Sequence, residues 1–484
     1  MTNSDVQSRN KFFTSIWIVF FVLLIVYSIY ILISAPELAL NQKPLTDQIV
    51  PYVSFKIILG LYFFIALFNL KKIKNNKLWF AAIIGVGLVS RLILIPSQPV
   101  LEDDYYRYLW DGAVTAHGYN PYVYSPLEVM EENDNVPEEL HQLAEDSGEI
   151  IKNINHPHIR TIYPILSQVV FAAAYFIDDW QYWSWKVLLL LFALLLLFVL
   201  IKTLKHLKLP TLFVAFYWLN PIVIHEMFNG AHMDLLALLP VMLALYFHSK
   251  NKLWYALIAL AIAAGFKLWP VVLLPLLLRN TLTDWKQTAK YTLAFALMVL
   301  ILFIPVLFSN LNESLGFIKY AGKWINNAAF YSIFKWSIQN VIYFFEFNIS
   351  CISCITRWGI VILYIILIAF ILKKKPVNLN QFFSKALLIV ALLYLVSPTQ
   401  FPWYYSWMVP LLVLRPMVSL LLYPLLLPLY QIKYLSETII YIQHLPVIIL
   451  FILELRGNIW KNKFSIHSEG FLETDSLNIS KTIS

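Results

Sequence analysis

Residues 12–34 read FFTSIWIVFFVLLIVYSIYILIS, an apolar run without a charged side chain that follows Arg9 and Lys11. A helix needs about 20 apolar residues to cross the hydrocarbon core of a bilayer. The run is longer than the hydrophobic segment of a signal peptide and lacks a clear small-x-small cleavage site. We therefore expect a first membrane span that the mature protein retains.

The composition of the chain agrees with a membrane protein. Hydrophobic residues make up 60% of its 484 residues and charged residues only 13%, whereas soluble domains contain about 25% charged residues. The net charge is +8, but Lys and Arg lie in short blocks between apolar runs. That pattern indicates membrane topology and contact with anionic membrane lipids, so we expect no nucleic-acid partner.

Apolar runs of similar character recur along the chain. We expect spans at 12–34, 52–70, 78–96, 183–201, 210–227, 232–248, 289–308, 355–372, 382–397, 403–414, 417–432 and 441–455. Two more apolar stretches are 161–177 and 253–278. Neither can be a single full crossing, because an extra crossing would move a basic loop away from the cytoplasmic side. We expect a short or re-entrant helix in the first stretch and two half-helices that meet near Gly265–Pro270 in the second.

The basic loops predict the orientation, because Lys and Arg favour the cytoplasmic side of short loops. This places both termini and a polar tail, 464–484, in the cytoplasm. The loop 97–160 then lies outside, together with the turn at 229–234, the loop 309–330 and the stretch 397–403. We expect residues 1–463 to form a single transmembrane domain in a plasma membrane, with 97–160 as its large extracytoplasmic loop.

A cluster of carboxylates opens the large outer loop. Glu102, Asp103 and Asp104 are adjacent and repel one another unless a cation or a donor-rich substrate shares the site. One carboxylate could act as a general base, and a neighbour such as Asp104 could hold a divalent cation, Mg²⁺ or Mn²⁺. The alternative is an ordinary solvated loop.

Aromatic and polar residues follow in four more clusters on the same predicted side. Aromatic rings and amides are suited to binding a sugar, and a lone lysine in an apolar hairpin is suited to binding a phosphate. Each cluster also has a structural explanation: an aromatic belt at the membrane interface, a capped turn, a helix start or a lysine that extends to the interface. The candidate ligands of the sugar or acceptor are Tyr106, Trp110, Tyr163, His232, Asp234, Trp403 and Tyr404, and Lys267 is the candidate for the phosphate.

These motifs resemble bacterial membrane glycosyltransferases of the GT-C superfamily, most closely the polyprenyl-phosphate-mannose-dependent mannosyltransferases and more distantly the GPI mannosyltransferases. The resemblance covers about residues 78–415. It rests on 102–112 (EDDYYRYLWDG), 118–122 (GYNPY), 163–168 (YPILSQ), the Asn-Pro and Asn-Gly-x-His-x-Asp stretch, 266–270 (FKLWP) and the Ser-Pro-Thr…Pro-Trp-Tyr stretch. Two departures are Ile165, where many relatives have a second proline, and the enlarged acidic block 128–149.

The resemblance implies a GT-C-like bundle of roughly 12–14 transmembrane helices with short helices in the first outer loop. It also implies transfer of a hexose, mannose in the closest branch, from a polyprenyl-phosphate donor to a lipid or glycan acceptor on the extracytoplasmic face. Asp103 matches the general base and Asp104 the adjacent acidic position. Lys267, with Arg107, would stabilise the departing phosphate.

Other functions stay open at this stage. A GT-C enzyme could use another sugar, and a transporter or flippase of lipid-linked sugars would also bind such donors. A transporter is expected to place charges near the bilayer midplane and to show inverted repeats, neither of which the sequence has. The two cysteines, Cys351 and Cys354, are expected to be spectator thiols, with a local disulfide or redox role as the alternative.

Overall fold

The protein is helical throughout the part that the structure, a computed structural model, describes: residues 3–73, 76–131, 134–309, 316, 319, 322, 324–349 and 351–456. These residues contain no β-strand and one isolated parallel bridge, between Asn326 and Thr399. The all-α polytopic class is confirmed. The predicted tail at 464–484 and most of the loop 309–323 lie outside the described residues.

The α-helices follow one another along the chain in the order in which we number them. They are α1 Asn3–Ser34, α2 Thr46–Phe68, α3 Lys77–Leu94, α4 Asp104–Ala116, α5 Pro126–Met130, α6 Glu138–Asp146, α7 Glu149–Lys152, α8 Ile165–Ile177, α9 Tyr182–His206, α10 Ala215–Trp218, α11 Pro221–Phe228, α12 Leu235–Ser249, α13 Leu253–Phe266, α14 Leu274–Leu277, α15 Trp285–Leu302, α16 Ile304–Leu307, α17 Ala329–Phe344, α18 Ile352–Leu372, α19 Leu379–Val396, α20 Val409–Leu414, α21 Tyr423–Leu426 and α22 Thr438–Arg456.

Short 3₁₀ helices connect several of these elements. They are Leu40–Gln42, Leu70–Lys72, Thr211–Val214, Trp269–Leu273, Pro402–Trp407, Leu420–Leu422 and Leu427–Leu435.

Seven of the described helices are long and apolar enough to cross a membrane, and a bent pair adds an eighth candidate. The seven are Phe12–Ser34 within α1, and α2, α3, α9, α18, α19 and α22. Fewer helices therefore pass this test than the 12–14 spans expected from the sequence. The difference arises because runs such as 232–248, 403–414 and 417–432 form shorter or broken helices.

Prolines and polar caps break the central helices. The predicted span 210–227 bends by 51° between its two halves. Asn220 begins the second half, where its side chain accepts hydrogen bonds from the backbone N–H groups of Ile222 and Val223. Pro221 follows as the first helical residue, a position where its missing N–H is not needed.

The two stretches that could not be simple crossings have the expected local form. Residues 161–177 contain the 13-residue helix α8. In 253–278, α13 ends at Phe266 and a 3₁₀ helix begins at Trp269, so the break falls at Lys267 and Leu268. Because the chain leaves its helix there, the lysine is held at an interruption rather than on a helix face.

The outer loop has a small apolar core of its own. Trp110 of α4 packs with Val129, Leu140, Leu143 and Ile151 from the segments that follow it. The acidic block 128–149 therefore forms amphipathic helices that bury one face. Helix α4 in turn lies against α8 at Gly112, where an added Cβ would meet the carbonyl oxygen of Phe171 at 2.6 Å. This close approach ties the start of the loop to the membrane-embedded helices.

The two cysteines are paired rather than free. Cys351 and Cys354 form a disulfide at the beginning of α18. The expectation of spectator thiols was wrong, and the local disulfide is the correct alternative. The sequence could not decide this, because a pair of cysteines three residues apart is compatible with both states.

Candidate active site

A cavity of about 730 Å³ lies where the outer loop meets the broken helices. That volume falls within the range typical of small-molecule sites, about 300–1,000 Å³. Seven of the residues proposed from the sequence line it: Asp103, Asp104, Arg107, Tyr163, Lys267, Trp403 and Tyr404. The structure thus brings together residues that are up to 301 positions apart in the chain (404 − 103).

The side chain of Asn229 connects the beginning of the outer loop, residues 97–100, to the turn before α12. The Asn229 side chain donates to the Ser97 hydroxyl at 3.0 Å and to the Gln98 carbonyl oxygen at 2.8 Å. Its side-chain oxygen accepts from the Val100 N–H at 3.1 Å. These bonds hold residues 97–100 against the turn that carries His232, so the carboxylates that follow lie beside that histidine.

Asp103 and Asp104 share a hydrogen-bond donor that sequence reasoning missed. The side-chain N–H₂ group of Asn155 donates to Asp103 Oδ1 at 2.7 Å and to Asp104 Oδ1 at 3.0 Å. One amide thus holds two carboxylates that would otherwise repel each other. No local pattern around Asn155 signals this role, because it depends on a contact across about 50 residues.

Burial raises the pKa of both carboxyl groups. For Asp103 the hydrogen bond from Asn155 opposes part of that rise in pKa. For Asp104 the nearby imidazole of His232 opposes it, while the negative charge of Asp103 adds to it. A carboxylate that has lost part of its hydration in this way is a stronger base than one in water.

Lys267 lies on the cavity wall with its charge already compensated. Its Nζ is 2.7 Å from Asp234 Oδ1, and it lies over the Tyr404 ring, 4.3 Å from the centroid. The Lys267 side chain is 19% exposed and the Asp234 side chain only 1%. Asp234 also accepts a hydrogen bond from the indole N–H of Trp407. Asp234, expected to contact the acceptor, therefore lies behind the wall and holds Lys267 instead.

His232 also lies behind the cavity wall rather than on it. Its ring stacks on Trp403 with 3.7 Å between the centroids, so the tryptophan separates it from the cavity. Its Nδ1 is 3.7 Å from Asp104 Oδ2 and its Nε2 is 3.4 Å from Glu102 Oε1. His232 therefore faces these carboxylates rather than the cavity.

Two aromatic candidates do not reach the cavity. Trp110 is buried in the core of the outer loop, where it stacks on Trp180 at 6.5 Å between centroids. Tyr106 packs on the ring of Tyr105 at 4.1 Å and lies between the two apolar clusters. Both side chains point away because α4 presents only one face to the cavity, the face that carries Asp104, Arg107 and Tyr108.

Arg107 is partly engaged. Its Nε lies 2.8 Å from Asp111 Oδ1, and Nη1 donates to the Ile159 carbonyl oxygen at 2.9 Å. Within the described part of the chain, its buried Nη2 has no hydrogen-bond partner. The guanidinium thus has one donor left for a ligand. Arg160 and Arg357 also line the cavity, and sequence reasoning missed both.

Three residues beside this site have a left-handed backbone conformation. Leu101, His156 and Ala231 have φ values of 53°, 51° and 62°, in the left-handed region that non-glycine residues rarely adopt. Each precedes or follows a residue described above: Glu102, Asn155 or His232. Such conformations cost on the order of 1–3 kcal/mol each and persist where the surroundings impose them.

Comparison with known proteins identifies the central part of the chain. Residues 86–282 match the model of the MptA_B family, described as "Alpha-(1->6)-mannopyranosyltransferase, N-terminal domain". This segment is similar to a family of GT-C-type mannosyltransferases. The protein is thus a glycosyltransferase, and the matched segment contains Asp103, Asp104, His232 and Lys267. No curated protein and no solved structure matches the chain.

We expect Asn155→Leu to slow sugar transfer because the shared amide donor is lost while the branched shape and the number of heavy atoms of the side chain are kept. Loss of a positioning partner of this kind reduces activity by about 10–100-fold. The drop should appear in kcat, with little change in the KM of the donor. The matched control is Asn153→Leu, since the Asn153 amide bonds only the Glu149 carbonyl oxygen outside the site. Equal kcat values for the two variants would remove Asn155 from the site.

Proposed function

We propose that the protein transfers mannose from a polyprenyl-phosphate donor to a hydroxyl group of a lipid or glycan acceptor. One observation carries the proposal: a carboxylate pair and a lysine, all three within the segment that matches a mannosyltransferase family, line the same cavity. A lipid-phosphate sugar is already activated, since phosphate is a competent leaving group. The protein must then accept a proton from the acceptor and stabilise the charge on the departing phosphate.

Asp103 is the proposed general base. It lies on the cavity wall, and Asn155 holds it in place. The acceptor oxygen forms a bond to the anomeric carbon, and its proton passes to Asp103. The bond between the anomeric carbon and the phosphate oxygen breaks at the same time, and the phosphate leaves with the lipid. Asp104 lies beside it and orients the acceptor.

Lys267 is the proposed partner of the donor phosphate. Its ammonium group faces the cavity while Asp234 holds it from behind, so its position is fixed before the donor binds. The remaining donor of Arg107 is a second candidate for the same phosphate. Trp403, Tyr404 and Tyr163 also line the cavity and can make apolar contacts with a sugar. The two faces of the Trp403 ring are stacked on His232 and Phe401, so the indole presents its edge to the cavity.

The proposed side of the membrane is extracytoplasmic, in a bacterial inner membrane with both termini cytoplasmic. The distribution of Lys and Arg among the loops supports this orientation. The disulfide Cys351–Cys354 supports it too, since disulfides persist in oxidising compartments. Cys354 lies three residues before Arg357, which lines the cavity. A GT-C enzyme that uses another sugar and a flippase are the alternatives.

We expect Asp103→Asn to abolish transfer of labelled mannose from polyprenyl-phosphate mannose, because the amide cannot accept the acceptor proton. Loss of a general base costs about 10²–10⁴-fold in rate. Donor binding, measured by photolabelling, should persist. Asp146→Asn, on the exposed face of α6, is the matched control. Transfer by Asp103→Asn at the control's rate would exclude this base, and lipid movement without transfer in the wild type would favour the flippase.

We expect the double variant Lys267→Met/Asp234→Asn to fold but to use the donor poorly. Lys267→Met alone would leave the buried Asp234 carboxylate without its cation, a change that is strongly destabilising. Neutralising both groups removes that cost and still deletes the phosphate partner, so kcat/KM for the donor should fall about 10²-fold.

The control for this lysine is Lys290→Met, which removes an exposed lysine whose ammonium group also lies over an aromatic ring, that of Trp254. Thermal unfolding in detergent should show that the double variant and the control are both folded. An unchanged donor dependence in a folded double variant would contradict the role of Lys267.

A further inference from the structure

A second cluster of ionisable groups lies next to the carboxylate pair; Glu102 of this cluster lines the cavity, and the other two members lie behind the wall. Glu102 precedes α4, Glu226 is on α11, and His232 lies in the turn before α12. Their exposed fractions are 8%, 1% and 0%. One oxygen of each glutamate and one ring nitrogen of the histidine all lie within 4.8 Å of one another. Asp104, the carboxylate that we expected to hold a cation, is not part of this group.

The histidine is buried without the hydrogen bonds that its ring requires. Neither Nδ1 nor Nε2 has a hydrogen-bond partner among the described residues, and Trp403 covers one face of the ring. Leaving such a group unsatisfied costs about 1–3 kcal/mol. The Nε2 atom is directed at two carboxylates, 3.4 Å from Glu102 Oε1 and 3.9 Å from Glu226 Oε2. The orphan nitrogen and the acidic pair thus converge on one point.

The charges around that point do not balance. Three carboxylates surround the imidazole: Glu102, Glu226 and Asp104. Within the described part of the chain, the only lysine or arginine that pairs with any of them is Lys56, whose Nζ lies 3.3 Å from Glu226 Oε1. With all three groups ionised, two negative charges would stand without an ion-pair partner in a region of low dielectric constant, a costly arrangement that either protonation or a divalent cation would offset.

We propose that Glu102, Glu226 and the Nε2 of His232 bind a divalent metal ion, Mn²⁺ or Zn²⁺. Two carboxylate oxygens with one imidazole nitrogen suit these ions better than Mg²⁺ or Ca²⁺, which prefer oxygen ligands alone. Ligands about 2.0–2.2 Å from a tetrahedral ion lie roughly 3.3–3.6 Å apart, close to the 3.4 Å between Nε2 and Glu102 Oε1. Glu226 can use Oε2 for the ion while Oε1 keeps its contact with Lys56.

The ion would act on the reaction through the histidine rather than by touching the sugar. Trp403 covers the imidazole, and of the three proposed ligands Glu102 lines the cavity, with 8% of its surface exposed, whereas His232 and Glu226 do not. With Nε2 bound to the metal, the proton of His232 is fixed on Nδ1, the atom that faces Asp104 Oδ2 at 3.7 Å. The metal ion would thus act through the imidazole, whose Nδ1–H would orient the Asp104 carboxylate and favour its ionised form. Glu226 and His232 are thus positioning residues.

The test is the metal content of the full-length protein, purified in detergent with an affinity tag that contains no histidine. After exposure to Mn²⁺ or Zn²⁺ and desalting, elemental analysis should find about one equivalent in the wild type. Glu226→Gln and His232→Gln should lose it. The exposed-site controls Glu145→Gln and His158→Gln should retain it. A chelator should lower the thermal unfolding temperature of the wild type but not of Glu226→Gln.

Three results would overturn the proposal. They are a wild type that retains neither ion, retention in the site variants equal to that in the controls, and a chelator without effect on wild-type unfolding. The first would mean that protons rather than a metal balance these carboxylates. Because the chelator experiment needs no variant, a folding defect in Glu226→Gln leaves it valid.

Metal binding is separable from the proposed transferase function. Asp103→Asn should bind the ion as well as the wild type, whether or not mannose is the substrate. If transfer is confirmed, removal of the ion should lower kcat and leave the donor KM unchanged. A rise in KM alone would place the ion on the donor, which contradicts a positioning role.

Discussion

The ion pair between Lys267 and Asp234 is the interaction on which the geometry of the cavity depends. An isolated charge in an apolar bundle is costly, so Lys267 can lie at the break between α13 and the next 3₁₀ helix only with a fixed partner. Asp234 supplies that partner from the turn before α12, and Trp407 donates to the same carboxylate. The pair therefore joins three segments that are remote in the sequence. It also leaves the ammonium group facing the cavity.

The carboxylate pair that lines the same cavity also depends on fixed partners. Asp103 and Asp104 lie together because Asn155 donates to both, and Asn229 holds the preceding chain against the turn that carries His232. The outer loop can supply Asn155 because its short helices have an apolar core of their own. The outer loop is thus a folded unit that packs on α8 at Gly112. The positions of the carboxylates thus depend on neighbouring amides and on the apolar core of the outer loop.

Local features of the sequence were enough to predict much of this arrangement. Apolar runs of about 20 residues predict helices because the bilayer imposes that length. The interruption at 265–270 predicts a break because Pro270 cannot continue a helix, and the structure has that break beside Lys267. Asp103, Asp104 and Lys267 were found because charged residues beside apolar spans are rare.

What the sequence could not provide is the direction of each side chain and every long-range partner. Trp110 was expected at the site because it follows the carboxylates in the sequence. It lies on the other face of α4, however, and its side chain is buried in the apolar core of the outer loop. His232 and Asp234 lie behind the wall because α12 begins there and Trp403 covers the turn. Asn155 gave no local signal, since it acts on Asp103 across about 50 residues. Glu226 lies in a polar stretch between two apolar spans, but its contact with His232 depends on the turn before α12.

In the proposed reaction, one cavity holds the donor phosphate at Lys267 and the anomeric carbon near Asp103. A structure of the protein bound to a polyprenyl-phosphonate mannose, an analogue whose sugar cannot be transferred, tests this arrangement. The phosphonate should contact Lys267 Nζ, with the mannose ring between Trp403 and the carboxylate pair. A well-defined analogue bound outside this cavity, with its phosphonate beyond the reach of Lys267, would contradict it.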